Sequence, residues 1–375
     1  MNREERIKVL QDIVKIKSVN DNEKDVAEYL EQLFSDNGID AKHVANNETR
    51  HNLVAEYANG EGKVLGLSGH QDVVAAGDES EWKFPPFSGH IHEGKLYGRG
   101  STDMKSGLAA LAIAMIELKN EAAEFNGTIR FMATVGEEVG ALGSNLLAKE
   151  GYADDLDGLI IAEPVGVAGY THKGSLNYSV ISHGKASHSS MPDEGVNSIT
   201  NMSQFTQLFN EEFGKVTTDY TNEVLGTVAA SVTIINGGDQ VNSIPASTTV
   251  QGNIRTIPEF DNTKVKELLK KIVDELNQEE NVKLELTIDD DLNSVESDKD
   301  SDLIKAVLAN TDAEIGGISP VTDAAGFTQT DNSFDLVIYG PGISTLPHQV
   351  DEYVAIEDYL AKIEEYKAII KDYLK

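Results

Sequence analysis

Short apolar runs alternate with helical patterns along the first 174 residues of the chain. Residues 63–70, 128–136 and 156–164 are apolar runs of strand length, and residues 105–119 carry apolar side chains at helical spacing. Apolar strands that alternate with helices are typical of a mainly parallel sheet that helices cover on both faces. The pattern therefore predicts an α/β fold for this part of the chain.

The pattern changes between residues 175 and 292. Three runs there alternate apolar with polar residues, which is typical of an antiparallel sheet with one solvated face, and two segments have helical spacing. The first pattern returns after residue 293. We therefore predict that a mainly parallel-sheet domain, residues 1–174 and 293–375, is interrupted by a smaller inserted α+β domain, residues 175–292. The alternating runs are residues 175–184, 229–238 and 247–257, and the helical segments are residues 197–213 and 262–277.

The amino-acid composition limits the possible binding partners and the possible metal ligands of the protein. The 375 residues are too many for one core of ordinary size, which agrees with two domains. A net charge of -32 excludes nucleic acid and anionic membranes as partners. The charged amphipathic start is no signal peptide, and no apolar run approaches the about eighteen residues of a membrane span, so we expect a cytoplasmic protein. Without cysteine, any metal must be held by His, Asp and Glu.

Residues 97–107, YGRGSTDMKSG, look at first like a loop that binds phosphate. Such a loop needs glycines at the positions of residues 99 and 104, before the Lys-Ser pair. Arg99 and Met104 stand there instead, so a nucleotide site is not expected. The acid of this stretch, Asp103, directly precedes the helical segment. It could cap that helix, or it could belong to a site together with other residues.

Acids and histidines follow the apolar runs of the larger domain. Because ligands bind at the carboxyl ends of strands in open α/β sheets, these side chains are expected to converge on one edge. Taken singly, each could be an exposed acid in a turn or a histidine with an ordinary hydrogen bond. Together, two histidines and three carboxylates suit two divalent ions about 3.5–4 Å apart, bridged by one carboxylate. The residues that follow the runs are His70, Asp72, Glu137, Glu138, Glu163 and His348, Asp103 joins them from the helix start, and three of the five acids would be ligands.

Seven motifs along the chain occur in an order that resembles one known family. They are GHQDVV, YGRGSTDMKSG, GEEVGALGS, AEP, HGKASHSS, NSIPA and LPHQVDEY. The chain resembles the zinc-dependent amidohydrolases and metallopeptidases that include succinyl-diaminopimelate desuccinylase, acetylornithine deacetylase, glutamate carboxypeptidase and aminoacylase. The resemblance covers nearly the whole chain. It implies that the larger domain is catalytic and that the inserted domain is the lid and dimerisation domain of the family.

The resemblance implies a role for each residue at the sheet edge. It implies two Zn²⁺ ions per subunit, with Co²⁺ able to replace them, and a bridging carboxylate at Asp103. Glu137 is implied to be the general base that takes a proton from water. Asp72, two residues after His70, is expected to orient that imidazole. His188 is implied to donate to the oxyanion, although by itself it reads as a surface-loop histidine. His70 and Glu163 would complete one ion, and Glu138 and His348 the other.

Three residues near or within the inserted domain are candidates for binding the substrate. On one predicted strand, Arg255 shares a face with Gln251 and Asn253, where it could bind a carboxylate through two hydrogen bonds or form a surface salt bridge. The resemblance favours the carboxylate and adds Asn242 and Lys173. It implies that the substrate is a small anionic N-acylated amino acid or dipeptide.

The segments GGDQVNSIP and GNIRTIPEFD look most like those of the succinyl-diaminopimelate desuccinylases. The implied reaction is hydrolysis of N-succinyl-LL-2,6-diaminopimelate to LL-2,6-diaminopimelate and succinate, a step of lysine biosynthesis. One departure lies in ISPVTDAAGF, where Val321 stands in place of the expected threonine. Acetylornithine deacetylase and a dipeptidase or carboxypeptidase of the same family therefore stay open as alternatives.

The resemblance also implies a homodimer formed through the lid, in which each subunit supplies its His188 to the other's site. An apolar stripe on the predicted helix at 197–213 could form the contact, and lid strands could pair across a twofold axis. The alternative is that the stripe packs on the lid's own sheet. The stripe consists of Ile199, Met202, Phe205, Leu208 and Phe209.

Overall fold

The computed structural model describes all 375 residues, which form two compact units. The larger unit comprises Met1–Thr171, Glu296–Ile318 and Thr322–Lys375, and the smaller unit comprises His172–Val295 and Ser319–Val321. The smaller unit is therefore an insertion in the chain of the larger one. The sequence pattern changes a few residues from these limits, after residues 174 and 292.

The structure contains nine α-helices, and none of them combines the length and the apolar character that a membrane-crossing segment requires. Several helices begin with a side-chain cap, in which the side-chain oxygen of Asn2, Asn197, Asp261 or Ser301 accepts a backbone N–H of the first turn. The helices are α1 (Arg3–Lys15), α2 (Lys24–Asp36), α3 (Lys105–Asn120), α4 (Leu142–Lys149), α5 (Ser198–Asp219), α6 (Asn262–Leu276), α7 (Asp302–Asn310), α8 (Ala324–Phe327) and α9 (Ile356–Tyr373).

Eighteen strands form four sheets. The strands are β1 (Ala41–Ala45), β2 (His51–Asn59), β3 (Lys63–His70), β4 (His90–His92), β5 (Lys95–Tyr97), β6 (Gly127–Thr134), β7 (Gly158–Ile161), β8 (Ala168–His172), β9 (Ser175–His183), β10 (Ser187–His188), β11 (Ala229–Gly237), β12 (Ser243–Ile244), β13 (Ser247–Arg255), β14 (Leu284–Leu292), β15 (Val295–Glu296), β16 (Ile315–Ile318), β17 (Asp335–Ile338) and β18 (Tyr353–Ala355).

A nine-stranded sheet forms the centre of the larger unit. Its strand order is β1-β2-β6-β3-β7-β17-β8-β15, with β16 beside β8. The four neighbours β6, β3, β7 and β17 run parallel, whereas β1 and β2 run antiparallel at one side of the sheet. The mixed α/β class and the mainly parallel sheet predicted from the sequence are confirmed.

Helix α3 is buried along nearly its whole length, from Lys105 to Leu118. A helix that is apolar on every side is stable only where other elements surround it, and α3 contacts β3, β6, α1 and α9. Gly107 lets its first turn approach the end of β7 closely, because a Cβ at this position would lie 2.0 Å from the carbonyl oxygen of Ala162. This contact places the loop that precedes α3 against the segment that follows β7.

The smaller unit is an antiparallel sheet, ordered β11-β13-β9-β14, against which α5 and α6 pack. Alternate residues of β9 and β13 are buried, as the sequence pattern predicted. Strand β11 differs, because its residues are exposed or half-buried throughout and it forms an edge of the sheet. Ala230 and Val232 still pack against the core of the unit, so the predicted alternation holds at the start of β11 and fails in its second half.

The apolar stripe on α5 packs mainly within the smaller unit. Met202, Phe205 and Phe209 are fully buried in its core, and Leu208 packs at the margin of that core. Ile199 is the exception, with 43% of its surface exposed. The prediction that this stripe contacts a second chain is therefore wrong, because most of the stripe packs into the hydrophobic core of its own unit.

Candidate metal centre

The candidate site lies at the carboxyl ends of four neighbouring parallel strands. His70 is the last residue of β3, Glu137 and Glu138 follow β6, Glu163 follows β7, and His348 follows β17. The strands end at nearly the same level, because His70 is in register with Thr134 and Ser68 is in register with Ile161. The parallel register thus brings together side chains that are far apart in the sequence.

His70 is fully buried and its two ring nitrogens have different partners. Nδ1 lies 2.9 Å from the backbone carbonyl oxygen of Asp72, so Nδ1 carries the proton and donates it there. Nε2 is then the nitrogen that faces the carboxylates and would bind an ion once it is deprotonated. It lies 3.0 Å from Asp103 Oδ1 and 3.5 Å from Glu163 Oε1, as expected for three groups that could share one ion.

Asp103 lies between two histidines. Its Oδ1 is 3.0 Å from His70 Nε2 and its Oδ2 is 3.5 Å from His348 Nε2. The N-cap of α3 is Met104, without any side-chain cap, so the helix-capping alternative for Asp103 is excluded. One carboxylate that turns one oxygen toward each histidine has the geometry that a bridging ligand requires.

Glu138 and His348 form the second part of the cluster. Glu138 Oε1 lies 2.9 Å from His348 Nε2, which also faces Asp103. His348 is the most open of these residues, with 53% of its side chain exposed, and its backbone is left-handed with φ 65°. A site for a second ion, formed by Glu138, His348 and Asp103, would therefore be accessible from solvent.

Glu137 also reaches the cluster. Ligand atoms of His70, Glu137 and Glu163 lie within 4.8 Å of one another, and so do those of His70, Asp103 and Glu138. Both adjacent glutamates are thus within reach of a metal ion. Distance alone does not separate a coordinating glutamate from a proton-accepting one, so the roles of Glu137 and Glu138 stay predictions.

Asp72 contacts His70 in a different way from the predicted one. Its carboxylate Oδ1 is 3.7 Å from His70 Nδ1, beyond hydrogen-bond distance, and it is the backbone carbonyl of Asp72 that holds the ring. The carboxylate instead accepts hydrogen bonds from the backbone N–H groups of Glu137 and Glu138, at 3.2 and 3.1 Å. Asp72 therefore connects the imidazole to the turn that carries both glutamates.

The charges of the cluster are far from balanced. Burial lowers the pKa of His70, but the carboxylates of Glu163, Asp103 and Asp72 outweigh it and raise this pKa well above its usual value. Burial also raises the pKa of Glu137 well above its usual value, and neighbouring carboxylates add to the shift. Carboxylates this close repel one another, and divalent cations would compensate that repulsion. The donor set of imidazole and carboxylate groups fits such ions.

Three further residues next to the cluster were not singled out as site residues from the sequence. Arg99 and Glu352 form a buried ion pair of 2.6 Å beside Asp103 and His348. Asp323, 1% exposed, accepts a hydrogen bond from Thr134 Oγ1 at 2.5 Å. A signal was present for all three, because they lie within YGRGSTDMKSG, LPHQVDEY and ISPVTDAAGF, three of the segments that the sequence distinguishes.

The predicted substrate residues and His188 lie in the smaller unit. His188 is exposed on β10, and the carbonyl oxygen of Asn242 accepts a hydrogen bond from the following residue, Ser189. Arg255 ends β13 and is half-buried, and it forms no ion pair, although the Asp290 carboxylate is near enough to raise its pKa. The salt-bridge alternative for Arg255 is therefore not observed. Lys173 donates a hydrogen bond to the carbonyl oxygen of Thr227 at 2.6 Å.

The positive charge of Arg255 affects the pKa of Lys173. Burial lowers the pKa of Arg255, which Asp290 only partly opposes. Burial lowers the pKa of Lys173 as well, and the positive charge of Arg255 lowers it further. Two neighbouring cations that disfavour each other would be stabilised by an anionic ligand.

Comparison with known proteins identifies the family of the chain. The model of peptidase family M20/M25/M40 matches residues 66–372. A probable succinyl-diaminopimelate desuccinylase of Staphylococcus epidermidis is 40% identical and covers 100% of this chain and 99% of its own length. A succinyl-diaminopimelate desuccinylase of Wolbachia pipientis is 28% identical and covers 98% of this chain and 93% of its own length.

Solved structures of the same family share the fold. The M20 metallo-carboxypeptidase Sso-CP2 of Sulfolobus solfataricus has a TM-score of 0.82 at 20% sequence identity, over 100% of this chain and 99% of its own. The YXEP protein of Bacillus subtilis, a dinuclear metal-binding peptidase, has a TM-score of 0.74 at 15% identity, over 98% of both chains. The chain thus belongs to peptidase family M20/M25/M40, a family of metal-dependent enzymes, and is a hydrolase that acts on amide bonds.

Proposed function

We propose that this chain is a dinuclear zinc hydrolase that cleaves N-succinyl-LL-2,6-diaminopimelate into LL-2,6-diaminopimelate and succinate. The position of Asp103 carries the dinuclear part of the proposal, because its two carboxylate oxygens face His70 and His348 separately. The desuccinylase part rests on the relative from Staphylococcus epidermidis, at 40% identity over the whole chain. The proposed ligands are His70, Glu163 and Asp103 for one ion and Glu138, His348 and Asp103 for the other.

The residues around the proposed ions have separate tasks. When bound, zinc would lower the pKa of a water molecule to about 7 and polarise the amide carbonyl. Glu137 accepts a proton from the attacking water and later passes it to the leaving amine, since its carboxylate lies beside His70 and Glu163.

Two contacts keep the proton-accepting carboxylate and its neighbours in place. The carbonyl oxygen of Asp72 fixes the tautomer of His70, and the carboxylate of Asp72 holds the backbone of the Glu137–Glu138 turn. Fixed positions matter, because general acid–base catalysis requires the base within about 2.6–3.2 Å of the proton that it takes. The donor to the oxyanion is proposed to be His188, on the resemblance to the family.

Recognition of an anionic substrate is proposed for Arg255 and Lys173. The guanidinium of Arg255 lies close enough to lower the pKa of Lys173, and Lys173 donates its hydrogen bond to a backbone carbonyl and not to a carboxylate. A succinyl or amino-acid carboxylate could accept both hydrogen bonds of a guanidinium, which a lysine cannot offer. Asn242 is proposed as a third contact to the substrate. The chain's net charge of -32 makes such cationic positions uncommon.

Two family activities compete with desuccinylation, namely deacetylation of N-acetylornithine and hydrolysis of dipeptides or C-terminal residues. Both activities stay as alternatives because Val321 replaces a threonine that is expected in a desuccinylase. The test compares kcat/KM of the zinc-loaded protein on N-succinyl-LL-2,6-diaminopimelate, N-acetylornithine and a dipeptide panel. We expect kcat/KM for the succinylated substrate to be higher by at least about a hundredfold. A competing substrate would leave buried polar groups of the site without a hydrogen-bond partner, and that loss accounts for discrimination of this size. A higher value for another substrate would reassign the activity within the family.

A homodimer through the smaller unit is part of the proposal. The edge strand β11 leaves its outer backbone groups unpaired and exposes Ile234 and Ile235, at 47% and 59%. An exposed edge with apolar side chains favours pairing with a second copy. Ile199, the exposed member of the α5 stripe, adds a further apolar residue of the same unit. We also propose a cytoplasmic location, in agreement with the biosynthetic reaction.

A further inference from the structure

We propose that the buried ion pair between Arg99 and Glu352 is a positioning device that sets the geometry of the second metal ion, the one assigned to Glu138 and His348. The inference rests on the proposed dinuclear site. It concerns two residues that touch neither the proposed ions nor the substrate. Glu352 is 0% exposed and Arg99 is 3% exposed, so water does not compete for the contact.

Glu352 uses both carboxylate oxygens. Oε2 accepts a hydrogen bond from Arg99 Nη1 at 2.6 Å. Oε1 accepts the backbone N–H groups of Thr102 and Asp103, at 2.9 and 3.0 Å. The N–H of the proposed bridging residue is therefore bound directly to this carboxylate. Any movement of the Glu352 side chain would displace the backbone from which the bridging carboxylate extends.

Arg99 holds the other half of the second site. Its Nη2 donates to the carbonyl oxygen of His348 at 3.1 Å, and its Nη1 donates to that of Gln349 at 3.2 Å. The guanidinium also lies 5.2 Å from the centre of the Trp82 ring, which limits its motion. The guanidinium group of Arg99 thus holds the backbone of His348 in place.

The backbone of His348 needs such support. Its φ of 65° lies in the left-handed region, which residues other than glycine rarely adopt. Residues in such conformations persist where the surroundings fix them, and they concentrate at functional sites. Two hydrogen bonds from Arg99, to His348 and to the next residue, provide that constraint.

Stability alone does not account for the pair. The desolvation of two buried charges offsets much of their attraction, so a buried ion pair adds little to stability compared with apolar residues of the same volume. What the pair adds is a fixed relation between two loops, one carrying Asp103 and one carrying His348. Outer contacts of this kind typically change metal affinity about 10- to 100-fold when they are removed.

The affinity for the first ion, assigned to His70 and Glu163, should depend less on the Arg99–Glu352 pair. His70 is held by the carbonyl of Asp72, independently of Arg99 and Glu352. Glu163 follows β7, whose end is fixed by its contact with Gly107. Both ions share Asp103, so loss of the pair should weaken both, but the second zinc ion should be weakened more because the backbone of His348 loses its support as well.

A stepwise zinc titration in competition with a chromophoric chelator tests the proposal, because it yields two dissociation constants without any assay of activity. We expect Glu352→Gln, which keeps one oxygen acceptor but loses the charge, to raise the weaker constant about 10- to 100-fold. Arg99→Lys, which keeps the charge but loses the planar fork, should shift the same constant in the same direction. Arg99→Lys serves as the test if the glutamine variant does not fold.

Glu117→Gln is the matched control. Glu117 is also a buried carboxylate of the larger unit, paired with Arg6 and Lys367 at 2.6 and 2.9 Å, and it contacts none of the proposed ligands. We expect this variant to lose stability but to keep both wild-type zinc constants. Unchanged constants in a folded Glu352→Gln or Arg99→Lys protein, with two ions bound by the wild type, would overturn the positioning role alone. A wild type that binds fewer than two ions would overturn this role and the dinuclear site together.

Discussion

The carboxylate of Asp72 accepts a hydrogen bond from the backbone N–H of Glu137, with an N···Oδ1 distance of 3.2 Å. The other carboxylate oxygen accepts the N–H of Glu138 at 3.1 Å, while the backbone carbonyl of Asp72 holds His70. A single residue thus links the histidine of one proposed ion with both glutamates. The side chain acts on the turn, and the main chain acts on the imidazole.

Because the carboxylate and the backbone carbonyl of Asp72 have different partners, Asp72→Asn should affect only the contacts of the carboxylate. An amide can accept one of the two N–H groups, but its own NH₂ faces the other N–H donor, so the Glu137–Glu138 turn should be displaced. The carbonyl that holds His70 is unaffected. We expect kcat to fall about 10- to 100-fold while the zinc ion assigned to His70 and Glu163 stays bound. The measurements are kcat and zinc content on the same sample. Loss of that ion would show instead that the carboxylate orients His70, as the sequence suggests.

Substitution of the two adjacent glutamates should separate proton transfer from metal binding. We expect Glu137→Ala to lower kcat by about 10²–10⁴-fold, the usual contribution of a general base, with zinc content close to that of the wild type. Glu138→Ala, its matched control, should lose the second zinc ion. Zinc content by atomic emission and turnover on the preferred substrate decide between them. If Glu137→Ala lacks a metal ion but remains active, the assignments of the two glutamates are reversed.

Arg255→Lys should impair binding of substrates that carry the recognised carboxylate. Lysine keeps the charge but loses the planar pair of donors, and a hydrogen bond to a charged group is worth about 1.5–3 kcal/mol. We therefore expect kcat/KM to fall roughly 10- to 100-fold on the free acid and only slightly on the corresponding methyl ester. Equal losses on the acid and the ester would assign Arg255 a structural role.

A mixing experiment tests whether His188 acts across a dimer. His188→Ala and Glu137→Ala are each expected to be inactive. If each subunit supplies its histidine to the other, a mixed dimer contains one site with both residues intact, and about half of the wild-type activity per mixed dimer should return. Subunit exchange is verified by mass spectrometry of the intact dimer. Confirmed exchange without recovered activity would mean that His188 acts within its own chain.

The sheet edge of the larger unit could be predicted because its strands are short and apolar. The run at 63–70 coincides with β3, and the acids after β6 and β7 sit where parallel strands end. His348 is harder to place, since nine residues separate it from Ile338, the end of β17. Its position after an apolar run nevertheless places it at the sheet edge, and the motif LPHQVDEY supports the same placement. The structure brings all seven predicted residues of this edge into one cluster or its direct contacts.

Other features could not be predicted from local patterns. Asp72 was expected to use its carboxylate on His70, but only the three-dimensional turn shows that the backbone N–H groups of Glu137 and Glu138 compete for that carboxylate. The α5 stripe is equally apolar whether a partner or its own sheet covers it. Arg99 and Glu352 are 253 residues apart, so their pairing depends on tertiary contacts.

The central claim is that two metal ions share Asp103, and zinc stoichiometry with and without this residue tests it most directly. The protein is dialysed against a strong chelator, assayed, and then titrated with Zn²⁺ or Co²⁺. We expect the stripped wild type to be inactive, to bind two ions per chain and to regain activity, whereas Asp103→Ala should bind both ions at least about tenfold more weakly. Full activity in verified metal-free protein, or a wild type that binds a single ion, would contradict the account.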